Sequence, residues 1–435
     1  MRYQQEQEKF QLSRFLYERS IVQSNNHKEK VQRKLCQYLS CVGISLQRHV
    51  KIGGYSYYYN NNNNNQQQSK KAGILGLDVC GNGRFVLSGC QNGSIHVHDI
   101  SLAGSQYKLQ MGMDKTYFPP IASTSNCGSP IKSVEWYQKH DTGAFVSTQL
   151  AGYVSLWDAN AFKAVVQLPI PNQLMHSSYC PSTITCAVVL HPEQTIQLWN
   201  VAQGTTTHTL PTSTVSAMPT CVLWHPTQPH YLFSGDVAGN VHLWDVRKPK
   251  SFLYNLCQYH SPHAGEPITH LTTTSNGHSL LTTSSASNTI THWNLSQITM
   301  TATTNHNHTT IKPYNTRYVC PNNGGRIQNI SILEDTTVWI TQDEELHGYS
   351  LEKGSLPQNS LQGHLDTITS LVTTTGTYQI LTGSKDGMIL SWGYTHPATK
   401  QQTSHDYWNL QQQQQQQYNH PQLQNHDDDY DCWDL

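Results

Sequence analysis

Motifs that carry chemistry are missing from this 435-residue chain. Its eleven cysteines are spread without a single C-x-x-C pair, which argues against a zinc ribbon and against a small disulfide scaffold. Reduced, mostly buried thiols in the cytosol or nucleus are the plain reading. Charged residues make up only 13% of the chain and the net charge is −1, so the whole has no bulk attraction to nucleic acid or to an anionic membrane. No apolar run approaches the roughly 20 residues of a membrane span. The polar stretch after Met1 is unlike a signal peptide, and a soluble intracellular protein is expected. A Gly-rich phosphate loop, paired catalytic carboxylates, a metalloprotease helix motif and a G-x-S-x-G elbow are all absent. These gaps predict a binder rather than an enzyme, with no cofactor and no metal.

What is present is repetition. Seven times a hydrophobic strand ends in an aromatic or aromatic-like residue followed by a small polar one: His98-Asp99, Trp157-Asp158, Trp199-Asn200, Trp244-Asp245, Trp293-Asn294, Tyr349-Ser350 and Trp392-Gly393. Successive steps of 59, 42, 45, 49, 56 and 43 residues bracket the roughly 40–45-residue period of WD repeats, with two or three long loops. A lone four-stranded sheet cannot bury both faces, whereas seven stacked around a channel bury them all. The expected fold is therefore all-β, a seven-bladed WD-repeat β-propeller. Repeat one reads Ile74 to Val79, Arg84 to Gly89 and Ser94 to His98, and the seventh reads Ile368 to Leu371, Gln379 to Gly383 and Met388 to Trp392. Repeats three and six are degenerate.

The propeller is expected over 73–396. A helical arm is predicted over 1–49, from apolar residues at helical spacing in about 7–19 and 28–40 with Ser24-Asn25-Asn26 between them. Residues 50–72 hold Asn60 to Asn65 and Gln66 to Gln68, a tract that cannot pack a core. Within that linker Val50 to Tyr59 is a candidate outer strand to close the ring. Residues 397–435, with Gln411 to Gln417 and five aspartates among the last nine positions, read as a disordered tail. Met1 to Lys71 carries twelve Lys or Arg against four Glu, so a basic front faces an acidic end.

In the seventh repeat His364, Thr382, Asp386 and Trp392 follow the order of a blade's internal hydrogen-bond relay. Each bond is worth about 1 kcal/mol net, but an unpaired buried partner costs more, so the set pins loop to strand. A catalytic triad needs an exposed nucleophile beside an oxyanion hole, and nothing of that kind accompanies these four. The 24 histidines offer only pairs, His96 with His98, His260 with His263 and His306 with His308, too few ligands for a metal.

The fourth repeat ends Trp244-Asp245-Val246-Arg247, which puts an arginine just past the strand, on the bottom face of the disc. This W-D-x-R ending resembles the element by which substrate receptors of cullin-4 RING ubiquitin ligases meet the adaptor damaged-DNA-binding protein 1. Trp136-Tyr137 followed by His140 to Phe145 and Leu156-Trp157-Asp158 resembles the second repeat of the Cockayne syndrome group A family of excision-repair proteins. Gly83 to Gly89 and Gly363-His364 through Trp392 are similar to its first and last repeats. Leu12, Phe15, Leu16 and Arg19 resemble the start of its N-terminal docking helix. Gln149 to Gly152 departs from the family's Asp-containing turn.

That resemblance implies a nuclear substrate receptor acting in transcription-coupled nucleotide excision repair. It implies an adaptor contact through Leu12, Phe15, Leu16, Arg19, Trp244, Asp245 and Arg247, linking the chain to cullin-4 and a RING subunit. Its implied clients are a Cockayne syndrome group B-like translocase and the machinery around stalled RNA polymerase II. Two other readings are a general WD-repeat scaffold unconnected with ubiquitin ligases and a direct reader of damaged DNA. The latter is disfavoured by the near-neutral ring, since DNA binding needs a basic face.

Overall fold

In the computed structural model the described residues run from Ser56 to Gly393, except for 60–67, 101–119, 125–127, 138–142, 192–194, 212–216, 258–261, 285–287, 297–312, 320–325, 353–358, 375–378 and positions 82, 171, 184 and 251. The chain divides into two compact units, Met1–Tyr394 and Thr395–Leu435. The second lies wholly outside the described residues, as do the expected arm over 1–49, with Leu12, Phe15, Leu16 and Arg19, and the expected tail.

Short alternating and β-rich segments between Gly turns form seven antiparallel sheets. Blade one is Ile74–Val79, Phe85–Cys90, Ile95–Asp99 and Ala122–Ser123, and blade two is Ile131–Trp136, Ala144–Gln149, Tyr153–Asp158 and Lys163–Pro169. Blade three is Gln173–Tyr179, Thr185–His191, Thr195–Asn200 and Thr205–Leu210, and blade four is Pro219–Trp224, Tyr231–Asp236, Val241–Asp245 and Tyr254–Asn255. Blade five is Ile268–Thr273, Ser279–Ser284, Thr289–Asn294 and Pro313–Val319, and blade six is Ile327–Leu333, Thr337–Gln342, Glu345–Ser350 and Asn359–Gln362. Blade seven has three described strands, Ile368–Thr373, Gln379–Ser384 and Ile389–Gly393. All seven sequence marks end the third strand of a blade, and the two degenerate repeats still build four-stranded sheets.

The innermost strand of each blade meets that of the next, and blade seven meets blade one, so the ring is closed and the fold is a seven-bladed β-propeller. The stretch expected to add an outer closing strand behaves differently. Ser56–Tyr59 pairs with Gln68–Lys71 in a separate two-stranded sheet. Closure between blades seven and one rests instead on Ile74 packed with Ile389, on Val79 and Val86 with Leu381, and on the Thr369 hydroxyl, which donates to the Ile74 carbonyl.

The apolar interior is a ring of wedges between blades rather than one core. Leu87, Ile95, Ile131, Phe145 and Trp157 fill the seam between blades one and two, and Leu333, Trp339, Leu371 and Trp392 fill that between six and seven. Burying each such large side chain stabilises by about 1.5–3 kcal/mol. Every innermost strand also carries a bulge near its start, at Leu75, Lys132, Met175, Thr220, Thr269, Gln328 and Thr369. A bulge strengthens local right-handed twist, which a blade needs because its inner and outer strands lie steeply crossed. Two seams are stitched at the same position, blades one and two where Asp78 accepts from Trp136 N at 2.8 Å, and blades three and four where Ser178 accepts from Trp224 N at 3.1 Å.

Antiparallel order gives the disc two chemically distinct faces. The underside carries the turns from first to second strands and the exits from third strands; the upper face carries the second-to-third turns and the crossings between blades. Among the described residues, no helix is long and apolar enough to cross a membrane.

Candidate protein-interaction surface

In blade four, alternation in Val241–Asp245 turns Leu243 to the seam with blade five and Trp244 to the seam with blade three, and the strand ends on the underside. Trp244 is fully buried, its Nε1 donates to Ser234 Oγ at 2.8 Å, and its ring meets Phe252 edge-on at 5.9 Å. Asp245 is buried as well. Its Oδ1 accepts from Arg247 N at 3.0 Å and Arg247 Nε at 2.9 Å, and its Oδ2 accepts from Arg247 Nη2 at 2.8 Å. Burial pushes the Asp245 carboxyl up, but the bonds from Arg247 outweigh it and hold the group below its usual value. The same bonds to Asp245 raise Arg247.

The guanidinium nonetheless faces water, with 56% of the side chain exposed. Asp245 takes two of its five N–H groups, and Tyr231 bonds the guanidinium as well. Lys248 and Lys250 follow it, both exposed. Of the seven expected adaptor contacts, the structure therefore brings Trp244, Asp245 and Arg247 together as anchor, clasp and outward cation.

A second fork escaped the sequence reading. Arg84 Nε and Nη2 donate to Asp99 Oδ2 at 2.9 and 2.7 Å in blade one, with the arginine side chain 50% exposed. The signal was available. An arginine just before the second strand lies beside the Asp that ends the third, since Phe85 and Asp99 are cross-strand partners.

The expected relay in blade seven forms in part. His364 Nε2 and Thr382 Oγ1 are 2.7 Å apart, and Trp392 Nε1 donates to the same hydroxyl at 2.7 Å. Asp386 serves the turn instead, accepting from Met388 N at 2.9 Å and from Ser384 Oγ. His364, Thr382 and Trp392 are all buried, so no substrate reaches them and their role is structural. Blade five repeats the trio, with His263 Nε2 to Thr282 Oγ1 and Trp293 Nε1 to Thr282 Oγ1 both 3.0 Å. Its separations of 19 and 11 residues nearly match the 18 and 10 of blade seven, and that spacing could have revealed it. Of the other histidine pairs, His96 has both ring nitrogens 2.8 Å from hydroxyls, those of Ser94 and Ser123.

Closed ring, buried relays and exposed charged forks define a WD-repeat propeller, a scaffold for protein interaction. The family model for the WD domain, G-beta repeat, matches residues 64–99 and 355–393, the segments that meet where the ring closes. The WD repeat-containing protein ATCSA-1 of Arabidopsis thaliana is 27% identical over 175 residues, 39% of this chain and 38% of that protein. The similarity thus spans well under half the length of either. The β-propeller domain of Cps50 (Swd1) from Myceliophteria thermophila superposes with a TM-score of 0.63 at 16% identity, over 75% of this chain and 98% of that one. This last likeness speaks for the fold alone.

Proposed function

We propose that the chain is the substrate-recognition subunit of a cullin-4 RING ubiquitin ligase acting in transcription-coupled nucleotide excision repair in the nucleus. The underside of blade four docks damaged-DNA-binding protein 1, together with Leu12, Phe15, Leu16 and Arg19, and the upper face receives clients such as a Cockayne syndrome group B-like translocase at stalled RNA polymerase II. The observation that carries this reading is the exposed guanidinium of Arg247, held in a fixed plane by Asp245. A pre-ordered arginine loses little rotamer freedom on docking and offers directed donors to partner carbonyls. The similarity to ATCSA-1 supports the same direction. Such a receptor transfers no ubiquitin; it raises the effective concentration of client lysines near the conjugating enzyme.

Arg247→Glu combined with Phe15→Asp is expected to lower adaptor recovery in a pull-down at least tenfold while the disc stays folded, with a lowered melting temperature because Asp245 loses its clasp. Full retention of adaptor by the folded double variant sinks the proposal. The Asp245 clasp is also what a plain scaffold would use to fix its own loop, and that reading predicts no shift on size exclusion with adaptor at micromolar concentration.

A further inference from the structure

The upper face of blade six offers a different chemistry from the underside of blade four. Its second-to-third turn is tight, with Asp343 in the left-handed region at φ 50°. The turn borders a cavity of about 260 Å³ lined by Gln342, Asp343, Glu344, Glu345 and His347. At about 30 Å³ per water, that is room for one long side chain. Asp343 and Glu344 are exposed. His347 is only 3% exposed; its Nε2 lies 3.3 Å from Glu345 Oε2, and its Nδ1 has no hydrogen-bond partner.

The turn that borders the cavity is tied to the crossing into blade seven. Ile368 N donates to the Asp343 carbonyl at 2.7 Å, and Gln362 Nε2 donates to Glu345 Oε1. These bonds bring up Leu365, 79% exposed, and its neighbour Asp366. Lys385, in the matching turn of blade seven, donates its N–H to Thr367 and bounds the patch with positive charge. Among the described residues no group of three His, Cys, Asp or Glu converges as metal ligands do, so a bare cation is a poor fit. A guanidinium or ammonium brings N–H donors for the carboxylates.

We propose that this pocket binds a basic peptide segment of a partner protein, with an arginine or lysine side chain in the acidic cavity and a nearby apolar residue against Leu365. Charge complementarity chooses the occupant, and the cavity beside an exposed leucine sets its pattern. The site stands on the upper face, away from Arg247, and its test contains no adaptor, so it succeeds or fails independently of the ligase reading.

Fluorescence anisotropy on the purified full chain tests it, using a labelled, N-acetylated and amidated heptapeptide pool. One Arg and one Leu are fixed zero to four residues apart, and the other positions are Gly or Ser. The pool is expected to bind at least tenfold more tightly than the same pool with Glu in place of Arg. Asp343→Asn with Glu344→Gln is expected to weaken it tenfold or more, Asn being a residue that tolerates the left-handed turn, and Leu365→Ser about threefold. Equal binding of the Glu pool, or unchanged binding by the Asp343→Asn, Glu344→Gln chain, overturns the proposal. So does displacement by spermine at matched charge, which would mean that charge alone is read.

Discussion

Blades six and seven are neighbours with second strands of equal length and a bulge at the same place, yet they hold themselves together by different means. In blade seven a threonine hydroxyl at Thr382 gathers His364 and Trp392. Cross-strand register puts Ile340 of blade six where Thr382 stands and Tyr349 where Trp392 stands, so blade six has no hydroxyl there for a relay. It carries its indole one residue away, at Trp339, which lies over Gly348 and enters the seam that Trp392 fills from the other side. The wedge between blades is common to both, and the relay is a local pin added to it.

The largest effect expected from breaking that comparison comes from Trp392→Ala, which removes both wedge and relay. The loss should be about 3–5 kcal/mol in urea denaturation. Trp339→Ala removes a comparable wedge together with a longer indole bond, to Thr337 Oγ1 at 3.2 Å against 2.7 Å in blade seven, and should cost less by under about 1 kcal/mol. Equal losses would mean that the relay adds nothing.

Acid sharpens the contrast next. Blades one, four and six place His96, His242 and His347 two residues before the third-strand aromatic position, where blade seven has Leu390. Burial lowers all three, His96 to about 4, and lowers His292 to about 4 as well. Their folded-state values lie below the unfolded one, so their neutral forms are fully accommodated above about pH 6.5. Stability is lost as pH falls from there towards 4, because the unfolded chain binds the protons first. For His96 the full loss is on the order of 3 kcal/mol. Urea midpoints should therefore drop between pH 7.5 and 5, and His347→Leu, borrowing the residue of blade seven, should shrink the drop. An unchanged pH slope in His347→Leu would remove that histidine from the account.

The parts of this molecule legible in the sequence are those set by local pattern. Each third strand ends on a sequence mark because alternation sends the aromatic into the seam and the next residue to the strand's exit on the underside, where Asp99 and Asp245 hold arginines. Trp244, Asp245 and Arg247 lie within four consecutive positions, so their joint geometry follows from one strand end. What was hidden depends on separate blades. The seven bulges answer to twist across whole sheets, and no residue type marks them, since Lys132, Met175 and Thr220 serve equally. The acidic cavity was silent because the turn of Asp343 and the crossing that carries Leu365 are joined only by the bonds of Ile368 to Asp343 and of Gln362 to Glu345. The relay of blade five was masked by Asn294 at the mark and by a crossing in which His263 read as one of a pair.

The smallest effect tests what blade six uses in place of a relay. Gly348 and Trp339 are cross-strand partners, and a β-carbon added at Gly348 would sit 2.6 to 2.9 Å from the indole ring. That ring is 1% exposed and hemmed in by Leu346, Leu371 and Trp392, so it must shift bodily rather than bend away. Overpacking of this sort costs about 1–3 kcal/mol, partly offset by the about 0.4–1 kcal/mol that alanine recovers by restricting the unfolded chain. Gly348→Ala should therefore destabilise by about 1 kcal/mol. Ser391→Ala, the matching change in blade seven, should stay within about 0.5 kcal/mol. A neutral Gly348→Ala would show that the indole does not depend on a bare backbone beneath it, and blade six would then rest on its apolar wedge alone.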